Sequence, residues 1–419
     1  MLQKESKRGR VFFPFIGLAI ILILFSCISS KKSYDLVIKS GFIVDGTGNP
    51  WFKADIGIKD KKISKIGSID IDKDKAEKLI DARNLIVCPG FIDIHTHCDR
   101  DIVNVPSADN YIYQGVTTVI GGNCGGHPFP LNEHFKKIKK RGISVNFGSF
   151  VGHNTIRQEV MGFKMSNPTE EEMIKMKALI DQEMKAGALG FSTGLSYLPG
   201  TYSNTEEIVQ LASVISGYGG IYASHIRDQG LRITEAIEEA ISIGEKNDIP
   251  VQISHIKLAD EAVWNQLEKI TNPIEEARSR GVEVTVDQYP YTATSSGFDS
   301  SFPSWAFEGG KEKFLERLKD EKAYEEIKSY IIKRRLSSIR GINKLETIYI
   351  ASSQRFPELE GKSLQEILVS KGKKPTVDNA ADLVIDIEKN GGASAVFFQM
   401  DEKDVENLMR LPYIMHASD

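Results

Sequence analysis

From Phe91 onward, short apolar runs recur at intervals that leave room for a helix between them: 91–97, 116–122, 144–150, 188–194, 220–226, 250–256, 284–289 and, after a long gap, 413–419. A strand followed by a helix-length segment does not turn back as a hairpin, so the next strand enters parallel to it. Eight such units predict an α/β fold closed into a (β/α)8 barrel of the TIM type. An open doubly wound sheet fits less well, because no glycine-rich phosphate turn follows the first strand. Helix punctuation agrees with the barrel. Thr169 with Glu172 reads as a capping box opening a helix that stops near Gly187, and Asn204 with Glu207 opens another.

Two regions break this rhythm. Residues 33–88 alternate apolar and polar positions, as in Asp35-Leu36-Val37-Ile38 and Ala54-Asp55-Ile56-Gly57-Ile58, which predicts a small antiparallel β unit, part of a β-sandwich. The barrel is assigned to 89–296 and 394–419. The intervening 297–393, helical from Lys311 to Arg335, reads as an inserted lid at the barrel mouth, the face where long insertions belong. Tyr413 to Asp419 reads as the eighth strand without its covering helix, so the chain is expected to be cut short at its C-terminal end.

The N-terminal run Val11 to Phe25 follows Lys4, Lys7, Arg8 and Arg10 and precedes Ser26-Cys27. This is a signal-peptide layout (1–27), and Leu24-Phe25-Ser26-Cys27 resembles a bacterial lipobox with Cys27 as the lipidation site. The expectation is an exported protein, a periplasmic or outer-membrane lipoprotein attached to the membrane through its N-terminus, with an uncleaved signal anchor as the alternative. A formal net charge of −4 gives no broad basic field, which sets nucleic acid aside as a partner. With Cys27 acylated, Cys88, Cys98 and Cys124 remain, an odd set that makes no disulfide framework.

The histidines supply a reason for one of those thiols. His95 and His97 end the first strand, Cys124 follows the second, His225 ends the fifth, His255 the sixth, and Asp419 the last. All lie at strand C-termini, where barrel active sites assemble. Residues two apart on a strand share a side, so His95 and His97 can grip one ion. A single histidine of this kind would read as a hydrogen-bonded core residue; this coincidence reads as a site for one or two zinc ions, since thiolate and imidazole are zinc ligands and a thiolate can bridge. Cys98 points away and packs. His134 and His416 lie off the pattern, while His127 and His153 follow the second and third strands near the site, as core residues or substrate contacts. Zinc lowers the pKa of bound water to about 7, Asp419 is placed to act as the catalytic base, and His255 or Tyr289 to stabilise an oxyanion.

These residues have a family likeness. Pro89-Gly90-Phe91-Ile92-Asp93-Ile94-His95-Thr96-His97 resembles the opening of the amidohydrolase superfamily. Gly122-Asn123-Cys124-Gly125, Gly187 to Leu195, Ser224-His225-Ile226-Arg227, Ser254-His255-Ile256-Lys257 and Asp287-Gln288-Tyr289-Pro290-Tyr291-Thr292-Ala293 resemble, in that order, the N-acyl-D-amino-acid deacylases (D-aminoacylases). The resemblance implies zinc-dependent hydrolysis of the amide bond of N-acyl-D-amino acids, or related N-acyl amino acids and D-dipeptides. It implies that Cys124, His225 and His255 hold a tighter zinc, and that His95, His97 and Asp419 form a weaker second position. Substrate contacts map to Tyr197, Lys257, Tyr289 and Ser295, with Lys257 and Arg227 suited to the substrate carboxylate. Asp228-Gln229 and Ser296-Gly297-Phe298 depart from the family pattern, which bears on substrate preference.

Two other readings compete. A cyclic amidase of the hydantoinase or dihydroorotase kind would need a carboxylated lysine after the fourth strand, where Phe191-Ser192-Thr193-Gly194 supplies none and Lys185 comes too early. A non-catalytic envelope lipoprotein would have no need of thiolate, imidazoles and acid together.

Overall fold

The computed structural model describes residues 33–419; the leader and Cys27 lie outside the described residues. Two compact units divide the chain at Gly90. The first is a five-stranded sheet built on β1 (Tyr34–Ile43). β2 (Phe52–Lys59) pairs antiparallel with β1 and with β3 (Lys62–Gly67), across a two-residue turn whose Asp60 and Lys61 have φ of 51° and 63°. Such a turn has the twist that a two-residue hairpin needs. β4 (Ala76–Asp81) and β5 (Ile86–Val87) pair parallel with β1. The expected antiparallel sandwich is therefore corrected to one mixed sheet among the described residues. The 68–75 connection is no hairpin: it carries the chain to the far side of β1, where it enters parallel.

The second unit is the barrel. Its strands are β6 (Phe91–Asp93), β7 (Val116–Gly121), β8 (Asn146–Ser149) with β9 (Val151–Gly152), β10 (Gly190–Gly194), β11 (Ile221–His225), β12 (Val251–Ile253) and β13 (Val284–Gln288), and later β17 (Ile414–His416). Neighbouring barrel strands pair parallel. β8 and β9 form one barrel strand broken at Phe150, its first half paired to β7 and its second to β10. Closure comes from the last residues: Ser418 N–H donates to Asp93 Oδ1 at 3.1 Å and Asp419 N–H to the His95 carbonyl at 2.9 Å. The helix Glu170–Lys185 begins with the capping box of Thr169 and Glu172, and Met173, Met176, Ile180 and Met184, three and four apart, bury one stripe against the barrel. The Asn204 side chain accepts from Glu207 N–H, capping Thr205–Ser216.

The inserted segment has its own sheet and its own aromatic core around Phe298, Phe302, Phe307 and Phe314. β14 (Ala293–Gly297) pairs antiparallel with β16 (Ser394–Phe398), which pairs antiparallel with β15 (Ile348–Ser352). Because β14 and β16 hydrogen-bond to each other and not to the barrel, the insertion starts before residue 297 and ends after 393, which moves both boundaries of the expected lid. The helical stretch expected over Lys311 to Arg335 is present in pieces. It is divided into Lys311–Arg317, Glu321–Ile331 and a π-helical turn Ile332–Leu336, with Asp320 capping the second piece by accepting from Ala323 N–H at 2.8 Å.

His127 and His153 take structural places. Glu207 Oε1 accepts from Arg157 Nε at 3.0 Å and bonds His153 Nε2 at 2.8 Å, all three residues being fully buried. Arg157 also donates to the carbonyls of Lys164 and Ser166. His127 Nδ1 accepts from Gly152 N–H, and its Nε2 lies 3.6 Å from Glu183. Burial opposes ionisation of Glu207, but the hydrogen bond and charge of His153 and the Arg157 guanidinium outweigh it and hold the carboxyl below the ordinary glutamate range. A depressed carboxyl contributes stability above its unfolded pKa and loses it as pH falls through the folded one. Glu207→Ala is expected to cost about 3–5 kcal/mol at neutral pH, as for a buried pair stripped of one partner. Chemical denaturation is expected to show this deficit shrinking below about pH 4.

Candidate metal centre

The strand ends bring six predicted ligands to one mouth of the barrel. Ligand atoms of His95, Cys124 and His255 lie within 4.8 Å of one another, and so do those of His95, His97 and Asp419. Cys124 Sγ is 3.3 Å from His95 Nε2 and 3.3 Å from His255 Nε2. Asp419 Oδ1 is 3.4 Å from His95 Nε2 and 3.3 Å from His97 Nε2. His95 thus belongs to both trios. His225 stands beside the first: its ring centroid is 4.4 Å from that of His255, its Nε2 is 2.7 Å from Ser196 Oγ, and its buried Nδ1 has no hydrogen-bond partner.

The backbone is bent to achieve this. Cys124, His255 and Asp419 have φ of 53°, 34° and 66°, a region that costs a residue with a Cβ roughly 1–3 kcal/mol and that collects at functional sites. Gly125, at φ +79°, seats the Cys124 loop so closely that a Cβ there would fall 2.1 Å from Asn154 Oδ1. Asp287, fully buried on β13, holds the two imidazole-bearing strand ends together. Its Oδ1 lies 2.9 Å from His95 Nδ1 and accepts from the backbone N–H of His255 at 2.8 Å, while Oδ2 accepts from Gln252 at 2.7 Å. A carboxylate behind a ligating imidazole fixes its tautomer and strengthens it as a ligand.

The electrostatics suit a cation. Burial pushes the Cys124 thiol up, but the imidazoles of His255 and His95 outweigh it and hold the group well below the ordinary thiol range, as a thiolate. Asp419 is held well below the usual carboxylate range against burial, chiefly by His255 and His95. Burial and the neighbouring His255 lower His225 to about 4, leaving a neutral imidazole. Burial lifts the Cys98 thiol to about 11, and its Sγ receives only Thr96 Oγ1 at 3.2 Å. Thiolate, carboxylate, neutral imidazole and an orphaned buried nitrogen make a donor set that fits zinc.

A cavity of about 770 Å³ opens over this cluster and is walled by the insertion. Tyr197, Lys257, Tyr289 and Ser295 all line it. The Tyr197 ring lies 4.4 Å from that of His225. Lys257 is buried, donates to the His255 carbonyl at 2.9 Å and sits over the Tyr289 ring. Arg227 is a correction: its Nε and Nη2 each donate to Glu239 at 2.9 Å, so its charge is already matched by a carboxylate. Sequence reasoning missed Asp287 as an orienting group, Ser196, and Arg335, which enters the cavity from the insertion. Asp287 was visible as an acid at a strand end within a motif; Arg335 carried no signal. Cys124→Ala is expected to lose most bound zinc in metal analysis of the purified protein, whereas Cys98→Ala keeps it.

Residues 78–296 match the model of the Amidohydrolase family. A D-aminoacylase of Alcaligenes xylosoxydans xylosoxydans is 31% identical over 414 residues, which cover 93% of this chain and 75% of the relative. An N-acyl-D-glutamate deacylase from Bordetella bronchiseptica, solved with zinc and a phosphonate that mimics the tetrahedral intermediate, superposes with a TM-score of 0.76 at 29% identity, over 93% of this chain and 76% of that one. A D-aminoacylase structure described by its binuclear metal centre, with one-metal activation and second-metal attenuation, gives 0.75 at 30% identity over 92% and 76%. The likeness covers nearly the whole chain, and the chain belongs to the amidohydrolase family, in its N-acyl-D-amino-acid deacylase group.

Proposed function

We propose that this chain is a zinc-dependent deacylase that hydrolyses the amide bond of N-acyl-D-amino acids, releasing a carboxylic acid and a free amino acid. The observation that carries the reading is a thiolate, imidazole and carboxylate cluster directly beside a buried lysine that has no carboxylate partner among the described residues. A cluster of that kind serves hydrolysis of an amide, and the free cation selects an amide that bears a carboxylate.

In this reading Cys124, His225 and His255 hold the tighter zinc, and His95, His97 and Asp419 offer a weaker second position. Zinc bound there supplies Lewis acidity and brings the pKa of water down to about 7. Asp419, ionised at the cluster's edge, takes the proton of the attacking water and delivers it to the leaving nitrogen as the C–N bond breaks. Lys257 binds the α-carboxylate and so sets the scissile amide against the cluster. The buried Tyr289 phenol, pushed well above its ordinary range by burial and the nearby Asp419, stays protonated and donates to the developing oxyanion. Cyclic amidase chemistry has less support. On β10, where a bridging lysine would be required, Ser192 donates to the Gly122 carbonyl and Thr193 bonds the Tyr222 hydroxyl, both buried.

The proposal includes export and membrane attachment through Cys27, which rests on the leader's layout. Among the described residues, no helix is long and apolar enough to cross a membrane.

Steady-state kinetics on N-acetyl-D- and N-acetyl-L-amino acids test the reading, with hydrolysis of the D series expected. Lys257→Ala is expected to raise KM for N-acyl amino acids by about 100-fold, and far less for the matching amino-acid amides, which present no carboxylate. Equal effects on both would remove Lys257 from that role.

A further inference from the structure

Lys257 is not the cavity's only unpaired cation. Arg335 comes from the insertion, on the π-helical turn Ile332–Leu336, and lines the same cavity. Its Nη1 donates to Gln399 Oε1 at 3.3 Å, and its Nη2 only reaches Ser300 Oγ at 3.5 Å. The guanidinium lies over the Phe397 ring at 5.0 Å, and Nε is sealed from solvent with no acceptor. Among the described residues Arg335 makes no ion pair.

Arg227 and Lys344, the other half-buried cations around the cavity, are neutralised, and the exposed Arg334 has an acid nearby. Arg227 is bound by Glu239 and Lys344 by Glu261, while Arg334 lies 3.7 Å from Asp228. A largely desolvated guanidinium left with two long contacts to neutral oxygens has its charge unmatched by a carboxylate among the described residues. Its planar fork matches the two oxygens of a carboxylate. The α-carboxylate of an N-acyl amino acid is one bond from the carbon that carries the scissile nitrogen, so it belongs on the metal side of the cavity, where Lys257 is anchored to the His255 carbonyl. That leaves the fork of Arg335 facing whatever projects toward the insertion.

We propose that Arg335, steadied by Gln399 and Ser300, receives a second carboxylate of the substrate, making dicarboxylic N-acyl-D-amino acids the preferred class. The assignment rests on the deacylase reading above and deepens it. A second carboxylate can stand on the amino-acid side chain, as in N-acyl-D-glutamate and N-acyl-D-aspartate, or on the acyl group, as in an N-succinyl compound. The shared chemistry is a second carboxylate in addition to the α-carboxylate that Lys257 takes.

The test is kcat/KM of the zinc-loaded full chain on N-acetyl-D-glutamate, N-acetyl-D-aspartate, N-succinyl-D-methionine and N-acetyl-D-methionine. The wild type is expected to favour at least one dicarboxylic substrate over N-acetyl-D-methionine by 10-fold or more, on the order expected for one added charge pair. Which one it favours identifies the side chain or the acyl group as the source. Arg335→Met is expected to lower that dicarboxylic-to-neutral ratio by about 100-fold, mainly through KM. Arg335→Lys, which keeps the charge and loses the fork, is expected to lower it by a smaller factor, and it serves if the methionine variant fails to fold. No wild-type preference for a second carboxylate, or an equal loss on all substrates in the variants, would overturn the assignment. Hydrolysis of none of the four would overturn the deacylase reading and the assignment with it.

Discussion

The Cys124 thiolate, held between the imidazoles of His95 and His255 at 3.3 Å each, is the interaction on which the rest of the site depends. A thiolate sealed from water is unfavourable unless positive charge surrounds it. Here that charge comes from strand ends that are far apart in sequence and adjacent only because the barrel closes. The closing bonds lie at the cluster itself: Asp419, a candidate ligand, donates its backbone N–H to the carbonyl of His95, another ligand. Barrel closure and ligand placement are therefore one constraint.

A second tier fixes the first. Asp287 reaches the His95 ring and the His255 backbone with one oxygen, so the two imidazoles facing Cys124 cannot drift apart without breaking a buried charge-assisted bond. The left-handed backbone at Cys124, His255 and Asp419 is strain that this packing sustains. Beyond these groups the barrel rim gives way to the insertion, whose separate core lets it shape the cavity without disturbing the metal ligands. In the proposed reading the barrel carries the reaction and the inserted wall carries selectivity.

The barrel strands and the cluster were legible in the sequence because both obey local rules. Apolar runs spaced by helix-length segments give parallel strands, and ligands at the ends of those runs fall on one face. What the sequence hid was non-local. The mixed order of the N-terminal sheet depends on where the 68–75 connection lands. The bond between β14 and β16 joins residues about a hundred positions apart, so the insertion's edges could not be read from composition. Arg227 looked like a free cation because Glu239, its partner, sits on the following helix, a pairing that only the rotation of that helix decides. Arg335 was read as part of a charged helical stretch, and only the π-helical turn aims it into the cavity.

The central claim is that the Cys124 thiolate is a zinc ligand at the barrel mouth. X-ray absorption at the zinc edge of the purified, zinc-loaded protein measures this most directly. The account predicts one sulfur at about 2.3 Å together with nitrogen and oxygen ligands near 2.0–2.1 Å. A first coordination shell of nitrogen and oxygen alone would contradict it.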